Sequence, residues 1–221
     1  MEESEMEILK QIAEALQKGD DEQTRALVSV AVARQMTAKQ ILDQGLIAGM
    51  NVVSEQFKCQ DIFLPDVLLA ARAMYAGLDV IKPLLVHEKV ASQGKIVIGS
   101  VQGDLHDIGK NLVGIMLKGA GFEVIDLGSD VAPERFVETA KRENAQVVGM
   151  SALLTTTMTA MKRTVTLLKA QGLTGKVRTI IGGAPVTAEY AQRIGADAYG
   201  YDAANAVEQV KRLVETTSRN T

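Results

Sequence analysis

The period of the apolar positions changes near the middle of the chain. Through the first 90 residues they recur at the spacing of one helix face. Ile8, Ile12, Ala15 and Leu16 form a first stripe. Gly19-Asp20 ends it, and Asp20 or Asp21 can cap the next helix. Leu27, Val30 and Arg34 mark the turns of a second stripe. Thr37 is placed to cap a third, which carries Ile41, Leu42, Leu46, Met50, Val53 and Phe57. Pro65 opens a fourth, with Leu68, Leu69, Arg72, Met74, Leu78 and Ile81. Four helices on short connections predict a small bundle. Pro83 and the polar stretch 87–94 predict a linker after it.

From residue 95 short β-branched runs alternate with helical patterns. Strands are predicted over 95–101 (KIVIGSV), 122–128 (FEVIDLG), 145–151 (AQVVGMS), 177–183 (VRTIIGG) and 197–201. Helices over 111–120, 133–144, 156–170 and 188–193 separate them. A last amphipathic helix carries Ala206, Val210, Leu213 and Val214. The predicted fold class is α/β. A helical domain over 1–90 precedes a flavodoxin-like, doubly wound, five-stranded parallel sheet over 91–221, with strand order 2-1-3-4-5. Such sheets bind ligands beyond the carboxyl ends of their strands, so chemistry is expected in the loops after Val101, Ser151 and Ile181.

Those loops hold the unusual residues. The first reads Gly103-Asp104-Leu105-His106-Asp107-Ile108-Gly109. A metal-bound imidazole usually donates its other ring N–H to a carboxylate, and Asp104 stands two residues from His106. Taken alone, the loop fits a surface turn with a capping aspartate equally well. The second loop runs Ser151-Ala152-Leu153-Leu154-Thr155, where Ser151, Thr155 or Thr156 could cap a helix. The third, Gly182-Gly183-Ala184-Pro185, lets a ligand or another backbone approach closely.

Together the three loops resemble the cobalamin-binding domains of methionine synthase type, in which D-x-H-x-x-G, S-x-L and G-G follow in this order. Here 41 residues separate Gly109 from Ser151, and 28 separate Leu153 from Gly182, as in that signature. The helical first half is similar to the cap domain that precedes the module in corrinoid methyl carriers. Full length, the chain resembles the corrinoid proteins of methylamine, methoxy-compound and methanol methyltransferase systems. That resemblance implies a corrinoid bound base-off, with His106 as the lower axial ligand of cobalt. It implies that Asp104 bonds the far side of the imidazole and that Ser151 is the next member of a proton relay. It places the cofactor against Gly103, Asp107, Ile108 and Gly109 of the first loop. Ser151, Leu153 and Thr155 would meet it from the second loop, and Gly182, Gly183 and Gly200 from the later ones. Small residues there would line a channel for the displaced nucleotide tail. Phe63, Leu64 and Met74 are candidates to shelter the upper cobalt face and serve equally as ordinary bundle core.

The function this implies is a non-catalytic carrier of methyl groups in one-carbon metabolism. A substrate-specific corrinoid methyltransferase would load Co(I), and a second methyltransferase would unload methyl-Co(III) to a thiol or tetrahydrofolate. A reductive activation protein would serve as a third partner. The alternative is the cobalamin-binding subunit of an adenosylcobalamin-dependent mutase, which resembles residues 91–221 but generally lacks a helical cap.

Charge and composition narrow the classes further. A net charge of −3 gives no basic surface for nucleic acid, and no apolar run approaches a membrane span. The acidic start is unlike a secretory signal. A lone Cys59 excludes an internal disulfide, so a reducing cytoplasmic setting is expected. A cobalamin-dependent transcription regulator would need a basic helix-turn-helix, which residues 1–90 lack. His87 and the Lys162-Arg163 pair read as solvated surface.

Overall fold

A computed structural model describes residues 2–88, 90 and 92–218, with side chains described over 5–216 of these. The chain divides into two compact units, one of residues 1–92 with 119–121 and the other of 93–118 with 122–221.

The first unit is helical throughout. α1 (Glu2–Gln17) buries Ile8, Ile12 and Leu16. Asp20 caps α2 (Asp21–Ala33), its side chain accepting from the Gln23 N–H at 2.9 Å. The buried face of α2 is Thr24, Val28 and Ala31, one position away from the predicted Leu27–Val30–Arg34 stripe, and Val30 is exposed. Thr37 caps α3 (Ala38–Gln40) through a capping box with Gln40. The helix then widens into a π-helical segment, Ile41–Ile47, and resumes as α4 (Ala48–Lys58). Gly45 and Gly49 let this segment lie close on α1. A Cβ on Gly45 would stand 3.1 Å from Ile12 Cγ2, and one on Gly49 would stand 2.9 Å from the Ala13 carbonyl oxygen.

α5 (Leu64–His87) corrects the predicted linker, because the helix continues through Pro83 to His87. Proline costs the helix one N–H bond, and tertiary packing outweighs it here. Lys89 and Ala91, the middle of that predicted linker, lie outside the described residues. Along α5 the buried residues are Val67, Ala70, Met74 and Ile81 among others, while Leu68 and Leu69 are exposed. Burying each large apolar side chain contributes about 1.5–3 kcal/mol, so this stripe is what holds the helices together.

The second unit is a parallel sheet in the predicted order β2-β1-β3-β4-β5. Its strands are β1 (Lys95–Ser100), β2 (Glu123–Asp126), β3 (Val147–Ser151), β4 (Arg178–Gly182) and β5 (Ala198–Gly200). They alternate with α6 (Ile108–Gly119), α7 (Pro133–Glu143), α8 (Met158–Ala170), α9 (Ala188–Ile194) and α10 (Ala203–Ser218). Continuous apolar runs suit strands covered on both faces, and Val97, Val148 and Ile181 are buried. Phe136 of α7 packs on Gly99 of β1, where a Cβ would stand 2.9 Å from its ring.

The order reverses at β1, whose neighbours are β2 on one side and β3 on the other. The loops leaving β1 and β3 therefore diverge, and the crevice between them is the expected ligand position. Register pairs Ser100 with Ser151 and Ser151 with Gly182, so the three candidate loops start side by side.

Candidate functional site

The loop after β1 is pinned by its own backbone and by its neighbours. Gly103 turns it with φ +84, and its N–H donates to Asp130 Oδ1 at 2.7 Å. Asp130 N–H in turn donates to the Asp104 carbonyl at 2.9 Å. Ser100 Oγ donates to the His106 carbonyl at 2.6 Å. These bonds fix the main chain on both sides of the Asp104–His106 pair.

The Asp104 carboxylate is completely buried, and each oxygen has its own set of donors. Oδ1 accepts from His106 Nδ1 at 2.8 Å and from the His106 backbone N–H at 3.1 Å. Oδ2 accepts from the Leu153 N–H at 2.7 Å, the Leu154 N–H at 3.2 Å and the Thr157 hydroxyl at 2.9 Å. Burial pushes the carboxyl pKa up. The bonds from Leu153, the His106 ring and backbone, and Thr157 outweigh burial and hold it well below the usual carboxylate range. Asp104 thus stays ionised and accepts the Nδ1 proton. Nε2 is the ring nitrogen turned away from Asp104, on a side chain that is 52% exposed.

Ser151, expected as the next member of the relay, is not among the partners of Asp104. The hydroxyl that reaches Asp104 is that of Thr157, at the start of α8. Ser151 is half-buried at the end of β3, where its carbonyl accepts the Val101 N–H at 3.0 Å. Thr155 is exposed. A run of three threonines, 155–157, carries no sequence signal for which one turns inward. Met74 is bundle core, whereas Phe63 is exposed and Leu64 half-buried.

The glycines fall into two groups. A Cβ on Gly182 would stand 2.9 Å from the Gly200 carbonyl oxygen, and one on Gly200 would stand 2.9 Å from Ala206 Cβ. Gly183, with φ +120, would place a Cβ 1.9 Å from the Ala152 carbonyl oxygen. These three are small because the chain's own atoms are close. Gly109 has nothing within 4 Å of such a Cβ and faces open space. Leu105 and Ile108 beside it are strongly exposed, and Leu153 and Leu154 across the crevice are exposed as well. Asp107 is half-buried, its Oδ2 accepting from Asn111 Nδ2 at 3.0 Å.

Among the described residues no group of three or more His, Cys, Asp or Glu could hold a bare metal ion. One imidazole suffices where the metal already sits in a macrocycle with four ring donors, as cobalt does in a corrinoid. An exposed Nε2, backed by a buried carboxylate and rimmed by apolar side chains beside an open glycine, fits such a group. Fold and loops together define a switch-point module of the α/β class that presents one exposed, carboxylate-backed histidine.

Comparison with known proteins agrees. Two family models match, each described as a B12 binding domain, one over residues 94–210 and one over 8–82. The trimethylamine corrinoid protein 1 of Methanosarcina mazei is 44% identical, over 93% of this chain and 96% of that protein. The dimethylamine corrinoid protein of Methanosarcina barkeri is 43% identical, over 96% and 99%. Among solved structures, the methanol:cobalamin methyltransferase complex of Methanosarcina barkeri matches with a TM-score of 0.85 at 29% identity, over 95% of this chain and 80% of that one. A cobalamin-binding protein of Desulfitobacterium hafniense matches with a TM-score of 0.78 at 35% identity, over 93% and 98%. The chain belongs to this family of B12-binding corrinoid proteins. Among the described residues no helix is long and apolar enough to cross a membrane.

Proposed function

We propose that the protein is a methyl carrier, holding a corrinoid base-off with His106 Nε2 as the lower axial ligand. The observation that carries this reading is the buried Asp104 carboxylate, which holds the half-exposed imidazole at the switch point of the sheet. When bound, the corrinoid supplies a cobalt that accepts a methyl group as Co(I) and gives it up from Co(III). The chain's own contribution is placement and tuning. Asp104 keeps the Nδ1 proton and so directs Nε2 outward. Thr157 and the Leu153 and Leu154 N–H groups hold the charge of Asp104 in place. The exposed apolar residues Leu105, Ile108, Leu153 and Leu154 supply contact area for the corrin, and Gly109 supplies room for it.

In this reading residues 91–221 are the corrinoid-binding domain and residues 1–90 the cap domain. Its partners are a substrate-specific methyltransferase, a second methyltransferase that unloads the carrier and a reductive activation protein. The relative solved as a methanol:cobalamin methyltransferase complex supports the first of these. Relatives named as methylamine corrinoid proteins, matched along both halves, favour methylated amines as donors. The mutase alternative is not favoured, since those relatives cover the helical half as well.

Two results are expected. Residues 91–221 expressed alone should fold and titrate with hydroxocobalamin, whose absorption bands shift on binding. A folded fragment that leaves those bands unchanged would remove the domain assignment. The full chain loaded with cobalamin and reduced to Co(I) should acquire a methyl group from a methylamine when a methyltransferase encoded beside it is added. Carbon-skeleton rearrangement with adenosylcobalamin, with no such methylation, would overturn the carrier reading.

A further inference from the structure

Lys110 is out of place by every local rule. It lies in the first turn of α6, where the helix dipole disfavours a cation. It lies on the sheet-facing side of that helix, in line with Gly114 and Leu117, and its side chain is only 4% exposed. Lysine is rarely buried unless paired, and an apolar residue in such a position is often as stable or more so. Its contacts lead back to the functional loop. Nζ donates to Asp126 Oδ2 at the end of β2 at 2.5 Å and to Asn111 Oδ1 at 2.6 Å. Asn111 Nδ2 then donates to Asp107 Oδ2 at 3.0 Å, and Asp107 is the residue directly after His106. On the other side, Asp126 Oδ1 accepts the Gly128 N–H at 2.8 Å, and the Gly128 carbonyl accepts the Ser100 N–H at 2.9 Å. Ser100 Oγ closes the ring on the His106 carbonyl at 2.6 Å. Hydrogen bonds and the chain itself thus close a circuit that passes through the main chain of His106, and Lys110 is the cation within it.

We propose that Lys110 is a positioning residue for His106, acting through Asn111–Asp107 on one side and Asp126–Gly128–Ser100 on the other to fix where the imidazole stands. This rests on the reading of His106 as the axial ligand. The lysine replaces what packing alone cannot give. Leu105 and Ile108 of the short loop after β1 are exposed and do not anchor it, and a cation with two fixed acceptors ties it to β2 and α6 at once. Losing Lys110 lets the segment after His106 shift and the ring sample other positions. The apolar side of the crevice formed by Leu153 and Leu154, on the loop after β3, is untouched, so the corrinoid keeps that contact area.

The test uses the full chain and two variants, Lys110→Met and Asn111→Leu. Asp126 is 38% exposed, so water can take over its charge when the lysine is gone, and Asn111 lies at the surface. The chain has two histidines, so the imidazole nuclear magnetic resonance of the cofactor-free protein contains signals from His87 and His106 alone. The His106 ring should show a protected Nδ1 proton in the unmodified chain. In both variants that proton should exchange faster and its signal broaden, with His87 unchanged. In the cobalamin-loaded Co(II) form, the equilibrium constant for imidazole ligation should fall about tenfold or more, while the corrinoid stays bound. A purely structural lysine would lower the thermal midpoint and leave both His106 signals as they are, which would overturn the proposal. If Lys110→Met does not fold, Asn111→Leu decides alone. If the unmodified chain shows no protein nitrogen on cobalt, the axial-ligand reading fails, and the ring signals of the cofactor-free protein still decide the role of Lys110.

Discussion

Replacing His106 with alanine should remove protein nitrogen from cobalt while leaving the fold intact. The imidazole is 52% exposed and its one hydrogen bond runs to Asp104, so its loss opens no cavity in the core. Asp104 keeps its remaining donors, the Leu153, Leu154 and residue-106 backbone N–H groups and the Thr157 hydroxyl, so the buried charge is not stranded. Unfolding in urea should therefore change little. The spectroscopic change should be complete. Electron paramagnetic resonance of the Co(II) form should show a nitrogen splitting that changes when the protein is labelled with nitrogen-15, and in the His106→Ala protein the label should have no effect. Methyl transfer should fall at least about tenfold, because removing only a supporting neighbour of a metal ligand already costs about that much and here the ligand itself is lost. A splitting that responds only to labelling of the cofactor's own base would remove His106 from cobalt.

The sheet is legible in the sequence because its strands are short β-branched runs between helices of different period, and the small size of the unit favours the order 2-1-3-4-5 among doubly wound sheets. Faces are harder to read where apolar residues crowd. In 27–33 (LVSVAVA) every face of the helix carries an apolar residue, and packing selects Val28 and Ala31 with Thr24 instead of Leu27 and Val30. Pro83 reads as a break because its missing N–H acts locally, while the buried stripe of α5 that carries the helix past it is a tertiary effect. The π-helical turn over Ile41–Ile47 has no residue signature. It accompanies the close approach of α1 at Gly45, which the sequence does not display.

In the site, His106 and Asp104 are legible because their spacing alone lets the carboxylate reach the ring. Thr157 is not, since its role depends on how a loop folds back across the crevice, and the motif points to Ser151 in its stead. Lys110 is hidden among the residues of an ordinary helix start. Its partner Asn111 is the next residue, and Asp126 comes within reach only through the pairing of β2 with β1.

Gly183→Ala should be among the most damaging single substitutions in the chain. Two costs add. The residue has φ +120, a region that L side chains rarely adopt, at about 1–3 kcal/mol. The new Cβ would stand 1.9 Å from the Ala152 carbonyl oxygen and 2.8 Å from its carbonyl carbon, both main-chain atoms that no rotamer change can move aside. Relief requires the loop after β3 to shift, and overpacking of this kind adds about another 1–3 kcal/mol. That loop carries the Leu153 and Leu154 N–H groups that hold Asp104, so the damage reaches His106 even where the variant still folds. Gly109→Ala is the contrasting case. Nothing lies within 4 Å of its Cβ and it sits in the first turn of α6, so alanine should stabilise the cofactor-free protein by a few tenths of a kcal/mol up to about 1 kcal/mol. If the open space at Gly109 is where the corrinoid lies, the same methyl group should weaken cobalamin binding. Urea unfolding of the cofactor-free forms and cobalamin titrations therefore separate the two glycines. Gly183→Ala loses stability first and binding as a consequence, whereas Gly109→Ala loses binding alone. A Gly183→Ala protein with unchanged unfolding would mean that the loop after β3 yields freely, and the rigid support of Asp104 would then have to come from Thr157 and the His106 backbone N–H.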